Sequence, residues 1–169
     1  AGKEFIYIKR QIDPELAEKI QSLDLPGVYV KREFKRYYPN GEVTAHILGL
    51  TSIEDKGQEG VESAYNEKLT GISGKQQIIQ DRMGRKIKTI KQVSVAKPGE
   101  DIKLTIDLRL QYLTYTALAQ IINDNKASAG TAILLDIKSG EILALTNQPS
   151  YNPNNPQDRM KIDYKEVRN

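Results

Sequence analysis

Cysteine is absent from this 169-residue chain. That excludes structural disulfides, thiolate metal ligands and Cys nucleophiles, and leaves the redox compartment open. Tryptophan is absent as well, and His46 is the single histidine, so neither a His-rich metal centre nor a Ser-His-Asp triad built on another histidine is available. No apolar run approaches the roughly 20 residues that a bilayer-spanning helix needs. The amino end, Ala1-Gly2-Lys3-Glu4, has neither an initiator Met nor a charged-then-apolar signal pattern; the expectation is a soluble chain or one whose anchor has been cut away. Nor is one sign of charge in great excess. With 25 Lys and Arg against 22 Asp and Glu the net charge is +3, and the two signs interleave along most of the sequence, so no basic stripe of the nucleic-acid kind appears.

Hydrophobic residues make up 38% and charged residues 28%, a globular rather than a disordered balance, at a length that suits one or two small domains. Residues 4–10 read as a β-rich run. Asp13-Pro14 then gives an N-cap followed by proline at the first helical position, with Leu16, Ala17, Ile20 and Leu23 at helical spacing and a stop at Pro26-Gly27. Residues 27–38 alternate as a long strand closed by Pro39-Asn40-Gly41, and residues 43–50 are ambiguous between helix and strand. A helix is predicted over 60–69, with Gly71 in the left-handed position beyond its end. A hairpin is predicted over 75–95 with its turn at Met83-Gly84. Lys97-Pro98-Gly99-Glu100 marks a boundary. Past it come a strand over 101–106, Asp107 as N-cap, and a helix from Leu108 to about Asn125 whose buried stripe is Leu110, Leu113, Ala117, Leu118, Ile121 and Ile122. A second hairpin follows, 130–136 and 141–147 around Lys138-Ser139-Gly140. Its strands are continuously apolar, as in a sheet covered on both faces, which a strand, a helix and a hairpin alone cannot supply, so this second domain reads as incomplete. Residues 149–156 should be irregular, and a helix is expected to begin near 157.

Little of this carries chemistry. Ser94-Val95-Ala96-Lys97 fits Ser-x-x-Lys, but that pair needs the Ser near the start of a helix, so that the amine one turn on reaches its hydroxyl, and here the tetrapeptide ends a β-run before Pro98-Gly99. With eight serines and many lysines, about one such match arises by chance, and Ser94 and Lys97 are read as one. Ser150-Tyr151-Asn152 lies in a Pro/Asn loop, and Lys68-Leu69-Thr70-Gly71 sits at a helix end. His46 has no Ser or Cys tied to it by sequence and reads as a hydrogen-bonded core residue, while Asp81, Asp107 and Asp136 read as caps or turns. Gly57-x-x-Gly60 lacks the rest of either nucleotide fingerprint. No catalytic residue, metal or cofactor is expected in the chain.

Three motifs occur in a telling order. Arg36-Tyr37-Tyr38-Pro39-Asn40-Gly41 resembles the Arg-x-Tyr-Pro-x-Gly motif of class B penicillin-binding proteins, continued by Ala45-His46 and Gly49. Gly57-Gln58-Glu59-Gly60-Val61-Glu62, with Tyr65, Leu69 and Gly71, resembles the family's next motif, and Asp81-Arg82-Met83-Gly84-Arg85 its Asp-Arg-x-Gly-Arg turn. Residues 104–111, 136–144 and 149–154 look like the entry to its penicillin-binding domain. The similarity covers nearly the whole chain and is closest to the division-specific septal D,D-transpeptidases, the penicillin-binding protein 3 type.

The resemblance implies an α+β fold: an elongated pedestal, or dimerisation-type, module of long strands and short helices over 1–97, then the truncated start of an α/β transpeptidase domain over 98–169. It implies a parent that acylates its own serine on a D-Ala-D-Ala stem peptide, passes the acyl group to a neighbouring strand's amine, and is trapped by β-lactams. The catalytic Ser-x-x-Lys, Ser-x-Asn and Lys-Thr-Gly are expected beyond Asn169, and a membrane helix upstream of Gly2. Implied partners are stem peptides, β-lactams and membrane-embedded division proteins, with no nucleic acid, at the periplasmic side of the inner membrane and the septum. Arg36, Tyr38, Pro39, Gly41, His46, Gly57, Gly60, Glu62, Asp81, Gly84 and Arg85 are then structural or partner-binding residues. Arg36 and Glu62, opposite in charge, are expected to pair or hydrogen-bond. Rival readings are a stand-alone interaction module, an elongation-specific homologue, and a hydrolase using Ser94 and Lys97.

Overall fold

A computed structural model describes residues 5–80 and 86–155. The chain divides into two compact units, residues 1–37 and 38–169. Among the described residues both helices and strands are present, and each of the two sheets is an open two-stranded hairpin.

In the first unit, helix α1 spans Pro14–Ser22 with proline in its first turn. Asp13 precedes it in an extended conformation without a side-chain capping bond, and the chain turns at Leu25–Val28, as Pro26-Gly27 predicts. The strands expected over 4–10 and 27–38 are not formed among the described residues. Alternation of side chains defines a strand's faces, but a strand persists only with a ladder partner, and these segments have none within the unit. Side chains rather than a ladder connect them: Arg10 meets the Glu33 carboxylate, 23 positions on, at 3.1 Å and lies over the Tyr7 ring, which meets Phe5 edge to face. No described residue of this unit is buried.

The second unit begins with a short 3-10 turn, Gly41–Val43, and helix α2, Ala45–Leu48, which settles the ambiguous segment as helical. The helix predicted over 60–69 is present but broken at Tyr65 into α3, Gly60–Ala64, and α4, Asn66–Leu69. Here two glycines are obligatory. Gly49 and Gly60 both have positive φ, and a Cβ on Gly49 would drive into the Glu59 carbonyl while one on Gly60 would lie 2.7 Å from the Gly49 nitrogen. The end of α2 and the start of α3 therefore touch backbone to backbone. Gly71 differs from expectation: it holds no left-handed conformation, and what requires glycine there is the Lys97 carbonyl against its α-carbon.

Strands β1, Lys75–Gln80, and β2, Lys86–Ser94, form the first predicted hairpin. The turn at Met83-Gly84 lies outside the described residues, as do Asp81 and Arg85. At its base Ile72 and Lys97 exchange both backbone hydrogen bonds, and Glu100 N–H donates to Lys68 O. The strand expected over 101–106 is not formed. This segment instead lies along the next hairpin with isolated bonds, Thr105 Oγ1 to Ile142 O and Asp107 N–H to Leu143 O.

Helix α5, Leu108–Asn125, is capped as predicted: the Asp107 carboxylate accepts from the Arg109 and Leu110 N–H groups. Its buried stripe is not the predicted one. Leu118 is buried, but Leu113, Ala117 and Ile121 are exposed, and the other buried position is Gln111. Strands β3, Gly130–Leu135, and β4, Ile142–Gln148, pair antiparallel in the predicted hairpin, with α5 mainly against β4. Asp136 organises the turn by accepting from Lys138 N–H and, through its carbonyl, from Gly140 N–H. Ala144 and Thr146 on β4 are buried, whereas Ile133, Leu134, Leu135 and Ile142 are exposed, so the sheet is covered on one face only.

Replacing Asp107 with Ala removes the only side-chain cap of the longest helix and should lower stability by about 1 kcal/mol, with Asp107→Asn losing only a fraction of that. Urea unfolding of the two variants beside the parent chain checks the order.

Candidate functional site

Among the described residues of the second unit, hydrogen bonds gather at a junction of three segments: the motif stretch 38–46, the first turn of α5 with β4, and the tail 149–154. It follows from where Asp107 starts α5. One turn into the helix, Gln111 points at β4 with its side chain wholly buried. Its Nε2 donates to Leu145 O at 2.7 Å and to Val43 O at 2.6 Å, and its Oε1 accepts from Leu145 N–H at 2.9 Å. The carboxamide thus pairs with both backbone groups of Leu145 as a neighbouring strand would, and spends its second N–H on the motif stretch.

The tail repeats the device. Asn154 Oδ1 accepts from Tyr38 N–H and its Nδ2 donates to Tyr38 O, both at 2.9 Å. Asn152 Oδ1 accepts from Asn154 N–H and so shapes the turn that aims Asn154. Ser150 Oγ donates to Glu42 O at 2.7 Å, and Tyr115 from α5 donates to the Glu42 carboxylate at 3.1 Å. Burial, first, and the nearby Glu42 carboxylate push the Tyr115 hydroxyl's pKa upward. Tyr38 and Tyr151 are both buried, and the Tyr151 hydroxyl reaches the Glu59 carboxylate at 3.4 Å.

His46 completes the junction. Its Nε2 lies 3.2 Å from Pro149 O, so that nitrogen carries the proton and donates, and its ring meets Tyr151 edge-on at 5.3 Å. Burial pulls the His46 pKa below its ordinary value; the Pro149 carbonyl and the Glu59 charge oppose this without overcoming it.

Of the residues singled out from the sequence, this junction brings together Tyr38, Gly41 and His46, with Pro39 exposed beside them. Gly41 lies against the Asn152 side chain. Gly57 and Gly60 serve the packing around α3: Gly57 N–H donates to Asn66 Oδ1, and a Cβ on Gly57 would strike the Glu62 carbonyl. Glu62 is buried in α3. Arg36 belongs to the first unit and is half-buried. Ser94 ends β2 with its hydroxyl accepting from Lys75 N–H, and Lys97 is exposed with its backbone paired to Ile72. Sequence reasoning missed Gln111 and Asn154. Gln111 had one signal, a lone amide among the apolar positions of α5's first turns; Asn154, one of several asparagines in a Pro/Asn stretch, had none.

The sequence pattern of the penicillin-binding protein dimerisation domain matches residues 1–104. The chain belongs to this penicillin-binding protein family. It is 44% identical over 161 residues to the peptidoglycan D,D-transpeptidase FtsI of Escherichia coli strain K12, covering 93% of this chain and 27% of that protein. It is 42% identical to the probable peptidoglycan D,D-transpeptidase PenA of Neisseria gonorrhoeae, over 92% of this chain and 27% of the relative. Among solved structures, penicillin-binding protein 2X from Streptococcus thermophilus matches with a TM-score of 0.67 at 26% identity, over 91% of this chain and 24% of that one. The chain therefore spans about a quarter of the length of these penicillin-binding relatives. Their match runs past residue 104, through the junction and β3–β4.

Gln111→Leu should cost on the order of 3 kcal/mol, because the Val43 carbonyl and both backbone groups of Leu145 lose their partner together. Gln111→Glu should cost at least as much at neutral pH, since it sets a buried carboxylate against two carbonyls, and should recover in part as the acid is protonated. Urea midpoints at two pH values test both.

For His46 the sign follows from its lowered folded pKa: the unfolded chain takes up the proton first, so its contribution is complete above 6.5 and is lost as the pH falls through the folded value. Between about pH 7.5 and 5.5 the stability of the parent chain should fall more steeply than that of His46→Gln, whose profile lacks this component. Equal slopes in thermal melts across that range would remove histidine from the account.

Proposed function

We propose that this chain is the pedestal and the opening elements of the transpeptidase domain of a class B peptidoglycan D,D-transpeptidase, with residues 1–97 as pedestal and 98–169 as the domain's start. The observation that carries this reading is the 44% identity that runs through 93% of the chain while covering only 27% of the FtsI of Escherichia coli. The exposed apolar face of β3, and its outer edge, which no strand of the described residues pairs, support it, since a penicillin-binding domain would pack its further elements there. In this reading the parent cross-links stem peptides by an acyl-enzyme route, is acylated by β-lactams, and works at the periplasmic face of the inner membrane during septation. The motif residues between Arg36 and Glu62, together with Asp81, Gly84 and Arg85, serve this reading as structural or partner-binding positions toward membrane-embedded division proteins. The nucleophile lies outside this chain: Ser94 sits in a strand with its hydroxyl committed to the Lys75 amide, without the helical turn that would bring an amine to it.

The test is acylation by a fluorescent penicillin. The longer protein that carries these residues should label covalently, whereas the 169-residue chain should not, and Ser94→Ala in the longer protein should leave labelling unchanged. Labelling of the short chain that disappears with Ser94→Ala would overturn the assignment. Depletion of the longer protein should give filamentous cells; rounded cells would instead assign it to elongation.

A further inference from the structure

The interleaving of charge along the chain fails in one place. Of the residues 75–80 and 86–97, which form the β1–β2 hairpin and its base, five are lysines and none is acidic, although the chain as a whole nets only +3. All the positive excess of the protein, and more, therefore sits on one β-ribbon. The ladder offers no internal neutralisation: Lys75 stands opposite Ser94, Lys86 opposite Gln80, Lys88 opposite Ile79 and Lys91 opposite Gln77. Across an antiparallel pair an opposite charge is the usual stabilising partner, and here every cross-strand position is neutral. The same ribbon exposes Ile79, Val93 and Val95, the last at 69%.

The chemistry of the partner follows from what accompanies the lysines. Neither strand carries an aromatic residue, so there is no platform on which unpaired bases would stack. Neither strand carries arginine, the side chain whose planar fork recognises individual carboxylates. Lysines at 75, 86, 88 and 91 thus place point charges on both strands of the ribbon, none answered by an acidic residue on the facing strand. Joined to exposed aliphatic side chains, that charge suits a laterally continuous negative surface with an apolar layer beneath it. We propose that the β1–β2 hairpin is a docking surface for anionic phospholipid headgroups, held by its lysines and by shallow burial of its exposed aliphatics. This inference uses only charge, ladder register and exposure, and stands apart from the transpeptidase reading.

Flotation of the 169-residue chain with vesicles tests it. Vesicles of about 30 mol % phosphatidylglycerol in phosphatidylcholine should bind the chain at least tenfold more tightly than pure phosphatidylcholine. Raising salt to about 0.5 M should reverse most of that binding. The triple variant K86Q/K88Q/K91Q should lose about tenfold or more, and the control K9Q/K19Q/K31Q, which removes the same charge from the first unit, should lose little. Circular dichroism of both variants verifies folding; should the triple variant unfold, the lipid and salt arms on the unmodified chain still decide. Indifference to phosphatidylglycerol, indifference to salt, or equal loss in both triple variants would each overturn the proposal, as would equally tight capture by soluble polyglutamate.

Discussion

The second unit depends on one buried carboxamide. Gln111 satisfies both backbone groups of Leu145 on β4 and the carbonyl of Val43 at once, from a side chain with no contact to water. An unpaired buried peptide group is costly, so three of them sharing one partner make that partner hard to replace. Its placement is inherited from Asp107, whose carboxylate starts α5 and whose own N–H donates to Leu143 O. Cap, helix phase and amide are thus a single device: where the helix begins decides which residue faces β4, and that residue decides where the motif stretch rests.

The same solution appears at the other end of that stretch, where Asn154 pairs with both backbone groups of Tyr38. Neither stretch 38–46 nor the tail 149–154 has the regular backbone that would let it join a ladder, yet both run beside buried residues. Side-chain amides, which carry a donor and an acceptor in the peptide's own geometry, take the place of the missing strands. Among the described residues the buried apolar side chains around them are Tyr38, Ala45, Leu118, Ala144 and Tyr151. Beside so few, the polar network carries a large share of the specification of these segments.

This arrangement gives a physical meaning to the residues whose order resembles penicillin-binding protein motifs. Tyr38, Gly41 and His46 form one face of a junction whose other faces are α5, β4 and the tail, while Gly49 and Gly60 let two short helices meet at backbone distance. His46 donates to a carbonyl and meets a tyrosine edge-on, and Ser94 accepts from an amide; among the described residues neither is arranged with a second group that would turn it into a base or a nucleophile.

How much could be read beforehand depended on the range of the interaction involved. The sequence by itself determined α1 behind Pro14, the cap at Asp107, the Asp136 turn and both hairpins, because each rests on contacts within a few residues and on the conformational limits of Pro, Gly and Asp. It also carried the ordered motifs by which the family is recognised. Only the tertiary structure decided that residues 27–38 and 101–106 are not strands, since a strand exists only where a partner lies alongside. It alone turned the stripe of α5 away from Leu113 and Ile121 and toward Gln111, because a helix buries whichever face its neighbours cover. The junction joins residues more than a hundred positions apart, Tyr38 to Asn154 and His46 to Pro149, and no local pattern encodes a hydrogen bond whose two ends are brought together only by the rest of the fold.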